Sequence, residues 1–298
     1  MTADAGTLVA AAASLRGESL WRAAAGRFAA NRAAMAGVLI LVLITAFAFI
    51  APLVSPHEME TNDWERIQIA PTAEQAHWFG TDANGRDLFV RVAAGARVSL
   101  AIGLITTLVA VLIGVLYGAV AGYVGGRTDQ VMMRIVDVLY ALPLFFAIII
   151  LVTVFGRNIF LVFLAIGAVE WLTIARIVRG QTLAAKQTEY VEAARSLGAP
   201  ATRIILRHIV PNVVGPVIVF STLLVPTVIL VESFLSFLGL GVQEPQTSWG
   251  LLISQGTAAL DSAPWLLVIP ASFLAATMFA FNFIGDGLRD ALDPRDEA

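Results

Sequence analysis

Residues 188–212 read TEYVEAARSLGAPATRIILRHIVPN. This charged, helix-competent run lies between two long apolar stretches, 159–177 and 213–240. Thr188 suits a helix N-cap, and Glu189 falls in the first turn, where the helix dipole favours an acid. Residues 189–197 are strong or fair helix formers. Gly198 stands where a helix closes on a left-handed residue, with Pro200 two positions on. The pattern predicts a helix of about nine residues, about 14 Å long. Pro200 is placed to start a second helix, which runs through Ile204, Ile205 and Ile209 until Pro211 breaks it. Two uses fit such an element. One is an amphipathic connector lying on a membrane surface. The other is a docking lever: Ala193 and Ala194 let another protein's backbone approach closely, and Glu192 and Arg195 frame them with hydrogen-bonding charge. A stiff helix carried between two spans would transmit a docked partner's movement to them.

The rest of the chain is close to oil. Of its 298 residues 58% are hydrophobic and 14% charged, with mean hydropathy +0.81. A soluble domain carries about a quarter charged residues, so the composition places the chain in a lipid bilayer. The absence of cysteine excludes disulfides, thiolate metal sites and a cysteine nucleophile. The basic residues are arginines apart from Lys186, and no patch is large enough for nucleic acid.

A bilayer core about 30 Å thick needs about 20 apolar residues as helix. Six segments qualify: 35–54, 100–124, 138–155, 159–177, 213–240 and 265–284. The expected fold class is therefore all-α, a polytopic membrane protein with six transmembrane helices. The first span is too long for a cleaved secretory signal, and Arg16, Arg22, Arg27 and Arg32 precede it. It reads as an anchor, with a tail at 1–34 whose residues 20–34 form a surface amphipathic helix. The transmembrane domain then occupies 35–298. With the N-terminus inside, fourteen basic residues fall on the cytoplasmic side and five outside. That puts both termini and the 178–212 loop in the cytoplasm, and the 55–99 loop outside.

Two acids fall within spans, Glu170 and Glu232. Buried charge in a membrane is costly and tends to be functional, so both are candidates to line a translocation path. The alternative for each is structural pairing across helices or at an interface. His57, His77 and His208 show no ligand spacing along the chain, so no metal site is expected. The turn-rich residues 80–85 lack an EF-hand's glycine and glutamate, since Asp87 and Ala93 occupy those places. Residues 125–129 read as a tight turn with Thr128 or Asp129 capping a helix, and Arg134 can pair with Asp137 along that helix. Asp286, Asp290 and Asp293 around Arg289 read as a solvated helix end.

Several of these stretches carry a family resemblance. Glu192-Ala193-Ala194, three residues, Gly198 and then a hydrophobic run to Pro211 resemble the EAA loop of bacterial ABC importer permeases. The usual ending of that loop is Ile-x-Leu-Pro. This chain has His208-Ile209-Val210-Pro211, and its RHIVPN is similar to the RHILPN of the peptide branch. FGTDANGRDLFVRVAAGARVSL (79–100), GGRTDQVMMRIVDVLYALP (125–143) and FNFIGDGLRDALDPR (281–295) also resemble the C-type permease of oligopeptide, dipeptide and nickel importers. The resemblance covers about residues 30–296. It implies a type I importer permease of the bacterial cytoplasmic membrane. Its coupling helix would use Glu189, Glu192, Ala193, Ala194, Arg195, Gly198 and Pro211. The implied partners are a homologous B-type permease, two ABC ATPase subunits or a fused pair, and an extracytoplasmic binding protein. Dipeptides, oligopeptides, glutathione and nickel chelates all remain open as cargo.

The energy source must lie elsewhere, because the chain lacks a P-loop: Lys186 follows Ala185 and precedes Gln187, not the Gly-Lys-Ser/Thr that cradles phosphate. ATP and magnesium are therefore expected on the partner ATPase subunits, with no cofactor on this chain. An ion-coupled secondary transporter would favour an internal repeat, and none is visible. A membrane enzyme would need grouped His, Asp or Glu, or a nucleophile beside a base, and the sequence groups none.

Overall fold

The computed structural model describes residues 20–155 and 159–292, and these are helical throughout apart from turns, loops and one isolated bridge between Thr81 and Asp87. Helix α1 (Leu20–Ala30) and α2 (Arg32–Val54) meet at Asn31, whose side-chain oxygen accepts from the backbone N–H groups of Ala33 and Ala34. The amphipathic segment expected at 20–34 is thus split by a cap. After a loop come α3 (Leu88–Val124), α4 (Gly126–Ala141), α5 (Leu144–Phe155) and α6 (Ile159–Ala185). The short α7 (Glu189–Ser196) and α8 (Ala201–Ile204) come next, then a wide π-type turn at Ile205–Ile209. Helices α9 (Val210–Phe237), α10 (Trp249–Ala258) and α11 (Trp265–Leu292) complete the described chain.

Among the described residues, four helical runs are long and apolar enough to cross a membrane: Arg32–Val54, Leu88–Val124, Ala201–Phe237 and Trp265–Leu292. The two other expected spans take a different form. The 138–155 stretch breaks at Leu142, which is extended (φ −71°, ψ 132°) because the ring of Pro143 disfavours a helical residue before it. Helix α5, beyond the break, has 12 residues, about 18 Å by helical rise. The 159–177 stretch lies in the 27-residue α6, which also carries Glu170, Arg176 and Arg179.

Pro211 does not end its helix. The π-type turn runs into α9 with Pro211 in its first turn, and the Asn212 side chain donates to the His208 carbonyl at 2.6 Å. A widened turn lets the ladder shift where proline supplies no N–H.

Helix α3 is the spine of the fold. It meets α6 along Gly114, Gly118 and Gly122, spaced one turn apart. A Cβ on Gly118 would lie 2.4 Å from the Ala175 carbonyl oxygen, so only glycine lets these backbones approach so closely. One apolar cluster joins α3, α5, α6, α7, α8, the π-type turn and α9, and includes Ile174, Val178, Val191, Ile204, Ile209 and Val213. A second joins α2, α3, α9, α10 and α11 around Trp249 and Phe281. The last turn of α1 is tied in by Arg27, which donates from Nε and Nη2 to the Ala291 carbonyl near the end of α11. A cation suits a helix C-terminus, where carbonyls lack partners.

Candidate functional site

The α7 helix is one residue shorter than the sequence pattern predicts. Thr188 occupies the N-cap with extended backbone, and its carbonyl accepts from the N–H groups of Val191 and Glu192. Its hydroxyl makes no cap bond and donates backwards to Ala185 at 2.6 Å. Gly198 is left-handed, with φ +76°, and Ala199 N–H reaches the Ala194 carbonyl, closing the helix as its glycine requires.

The two alanines part company. Ala194 packs with Val191 into the α3–α6–α9 cluster, whereas Ala193 is exposed. Glu189, Glu192, Ala193 and Leu197 form an open face, with Leu197 88% exposed. Arg195 is exposed yet lies over the Tyr123 ring at 5.8 Å, and Lys186 approaches the same ring at 5.6 Å. Tyr123 is the penultimate residue of α3, so one cation just before α7 and one in its last turn bear on the end of that spine. Pro211 is exposed, at the start of α9. Sequence reasoning missed Tyr123 and Leu197. A leucine directly after a short polar helix is the sequence signal for Leu197; the cations over Tyr123 come together only through the fold.

Beside α7, Arg179 of α6 holds Asp129 of α4 with two bonds, 2.5 Å from Nε and 2.6 Å from Nη2. These bonds keep the Asp129 carboxyl below its ordinary range despite the opposing effect of burial. Neither Asp129 nor Thr128 caps α4; its N-cap is Gly125. Asp137 does not take up the expected link along the helix to Arg134. It accepts from Arg176 at 2.9 Å, and the Arg176 guanidinium lies 4.3 Å from the Tyr140 ring centre.

Glu170 lines a cavity of about 310 Å³ with Tyr140, Leu142, Pro143 and Thr173, beside the break between α4 and α5. Glu232 sits elsewhere. It is fully buried and accepts from Ser236 Oγ at 2.6 Å, with Ser248 Oγ 3.4 Å from that hydroxyl. Glu232 is thus held by a serine one turn on along its own helix, whereas Glu170 borders a cavity.

The far end of α3 carries a polar network. Asp82 caps its own turn through Asn84 and Arg86 N–H groups, accepts from Arg86 Nε at 2.8 Å and pairs with the buried Arg91. Arg86 Nη2 and Gln255 Nε2 both donate to Glu244 Oε1 at 2.8 Å. The hydrogen bond from Arg86 holds the Glu244 carboxyl below its usual range, against the effect of burial. The 80–85 turn is thus a clasp joining the 55–87 segment to α3, α10 and the loop before it. Histidines that are scattered along the chain meet nearby: the His57 and His77 rings stack with centroids 4.0 Å apart. Among the acids of the tail, Asp293 lies outside the described residues.

Comparison with known proteins agrees with this geometry. Residues 110–296 match the family described as "Binding-protein-dependent transport system inner membrane component". Residues 19–71 match the N-terminal TM domain of oligopeptide transport permease C. The chain is 57% identical to the oligopeptide transport system permease protein OppC of Escherichia coli K12, over 95% of this chain and 93% of that one. It is 46% identical to OppC of Bacillus subtilis, covering 93% of this chain and 90% of the other. It is also 46% identical to the dipeptide transport system permease protein DppC of Bacillus subtilis, over 93% and 85% of the two chains. The helical membrane architecture, the match over more than half of the sequence and the near-full-length relatives agree: the chain belongs to the binding-protein-dependent transport system inner membrane component family, as a permease of the oligopeptide and dipeptide type.

Proposed function

We propose that this permease imports short peptides, dipeptides or oligopeptides, driven by ATP hydrolysis on separate subunits. In this reading six helices cross the bacterial cytoplasmic membrane, with α5 and α6 completing the four long apolar runs. The break at Leu142 widens the membrane domain around the Glu170 cavity. Both termini and α7 face the cytoplasm. A homologous second permease completes the path, an extracytoplasmic binding protein delivers peptide to the clasp end of α3, and two ATPase subunits grip the α7 end.

The observation that carries this reading is the division of labour on α7. Val191 and Ala194 bind one side of the helix to the ends of α3, α6 and α9. The other side offers two carboxylates, a methyl and the open Leu197. A connector lying on lipid would turn its apolar residues to the membrane, whereas Val191 and Ala194 are taken up by the protein core. A docked subunit that moves α7 moves the membrane helices with it, because interdigitated cores shift as units. In this reading Glu170, on the wall of its cavity, meets the ammonium group of a peptide.

Purification of the tagged chain from its native membrane tests the reading. An ABC ATPase and a second permease should co-purify, and reconstituted complex should take up labelled peptide only with ATP. Uptake by the chain without an ATPase would overturn it.

A further inference from the structure

We propose that His57 and His77 form a binding site for a divalent transition-metal ion, in the segment joining α2 to α3. The side chains of His57, His77 and Asp87 each bring one potential ligand atom within 4.8 Å of the others. Their hydrogen bonds define which atoms are free. His57 Nε2 contacts the Gln75 carbonyl at 2.9 Å, and since a carbonyl only accepts, that nitrogen carries the proton. The Nδ1 of a neutral His57 ring is then left with its lone pair. His77 Nδ1 contacts Asp87 Oδ2 at 2.8 Å and donates to it, which leaves the lone pair on Nε2. His77 is 2% exposed, and its Nε2 has no hydrogen-bond partner among the described residues. A buried, unpartnered imidazole nitrogen is costly unless something binds it.

Asp87 acts as the positioning residue. Its Oδ1 accepts from Val90 N–H at 2.9 Å, so the cap of α3 fixes the carboxylate that fixes His77. A ligand histidine whose other nitrogen donates to a carboxylate is the usual outer-shell arrangement of metal sites. The cavity here, about 400 Å³, is also lined by Glu58 and Asp63, which supply oxygen donors. Two imidazoles with carboxylate oxygens suit zinc, copper or nickel, and not calcium or magnesium. Metal–nitrogen bonds of about 2.0–2.1 Å put two ligand nitrogens about 3.3 Å apart on a tetrahedral ion, with the metal in the plane of each ring; the two rings stack only 13° from parallel, so metal binding requires the half-buried His57 ring to turn out of the stack and give up its contact with Gln75. The bound ion would staple the chain just after α2 to the chain just before α3. Neither the cargo nor the ATPase enters into the site. With the 55–99 loop outside the membrane, the metal would be taken up from that side.

The test uses the full chain in detergent, without a polyhistidine tag, stripped with a chelator and titrated with Zn²⁺ alone. One zinc per chain should survive gel filtration. His57→Gln and His77→Gln should each abolish it, and His208→Gln should leave it intact. Asp87→Asn, which keeps a competent cap, should weaken zinc about 10- to 100-fold. Cu²⁺ bound to the unaltered chain should show electron paramagnetic coupling to two imidazole nitrogens, a readout that needs no variant to fold. No retained zinc, retention unaffected by both histidine substitutions, or coupling to fewer than two imidazoles would overturn the assignment.

Discussion

Arg179 on α6 grips Asp129 on α4 through both carboxylate oxygens, at 2.5 and 2.6 Å, across 50 residues of sequence. The pair fixes α4 against α6 shortly before α6 hands over to α7. The Asp129 side chain is 12% exposed and that of Arg179 35%, so the pair lies between a surface salt bridge and a buried one. Asp129→Asn should cost about 1–2 kcal/mol, within the span of exposed pairs and charged hydrogen bonds. The folded state holds the Asp129 pKa below its unfolded value of about 3.9. The contribution is therefore complete above that value and is lost as pH falls through the lower, folded pKa. Thermal unfolding in detergent should show a constant gap between the two proteins from pH 8 to about 5, closing below about 4. A gap that changes between pH 8 and 6 would contradict the pairing.

Close approach of α3 and α6 makes a second expectation. Gly118→Ala puts a methyl 2.4 Å from the Ala175 carbonyl oxygen, a backbone atom that cannot swing aside. Overpacking of this kind costs about 1–3 kcal/mol. Gly180→Ala, where a Cβ meets nothing within 4 Å, serves as the control. Thermal unfolding should fall for the first substitution and remain near the parent value for the second.

The clasp at the other end of α3 responds to pH through Glu244, whose carboxyl Arg86 holds below its usual range. Its stabilisation is present above the unfolded glutamate pKa, about 4.3, and is lost as pH falls through the folded one. Because the Glu244 side chain is 44% exposed, solvent screens most of the effect. Glu244→Gln should change stability by less than about 1 kcal/mol at pH 7. Asp82→Asn should cost more, because it leaves buried Arg91 with only the half-exposed Glu244, 3.6 Å away, as a charge partner. Hydrogen exchange in residues 80–87 reports both changes, and equal protection in the two variants would contradict the ranking.

On α7, the open and packed faces should separate in function. Glu192→Trp and Gly198→Trp add bulk on the exposed side, and a side chain at Gly198 meets nothing within 4 Å of its Cβ, although its φ of +76° adds strain. Both should leave the permease in the membrane while breaking the link between ATP hydrolysis and uptake. Val191→Asp puts a carboxylate at a fully buried position and should detach the helix itself, with loss of stability. Peptide uptake and ATPase rate, measured on the same reconstituted samples, distinguish the two outcomes. Coupled transport in both tryptophan variants would remove the docking role.

Local signals were legible in the sequence. Gly198 and Pro200 mark the end of α7 and the start of α8 because a positive φ and a fixed φ leave few other uses for those residues. The interruption at Leu142 was legible too, from Pro143, but apolar length alone overrode it. Relationships across elements were not legible. Asp137 has Arg134 one turn behind it on its own helix, yet it accepts from Arg176 of α6. Ala193 and Ala194 are identical in composition, and only the packing of α7 decides that one is open and the other buried. His57 and His77 stack because a folded loop returns on itself, and sequence spacing does not encode that return.

The absence of cysteine from the sequence makes the decisive measurement clean. Ala193→Cys would place the chain's single thiol on the open face of α7, where a thiol-anchored cross-linker can be applied to native membranes. Docking of an ATPase on that face predicts an adduct with an ABC ATPase subunit, its yield changing on addition of ATP. Labelling of that thiol from outside intact cells by an impermeant maleimide, with no ATPase adduct, would contradict it.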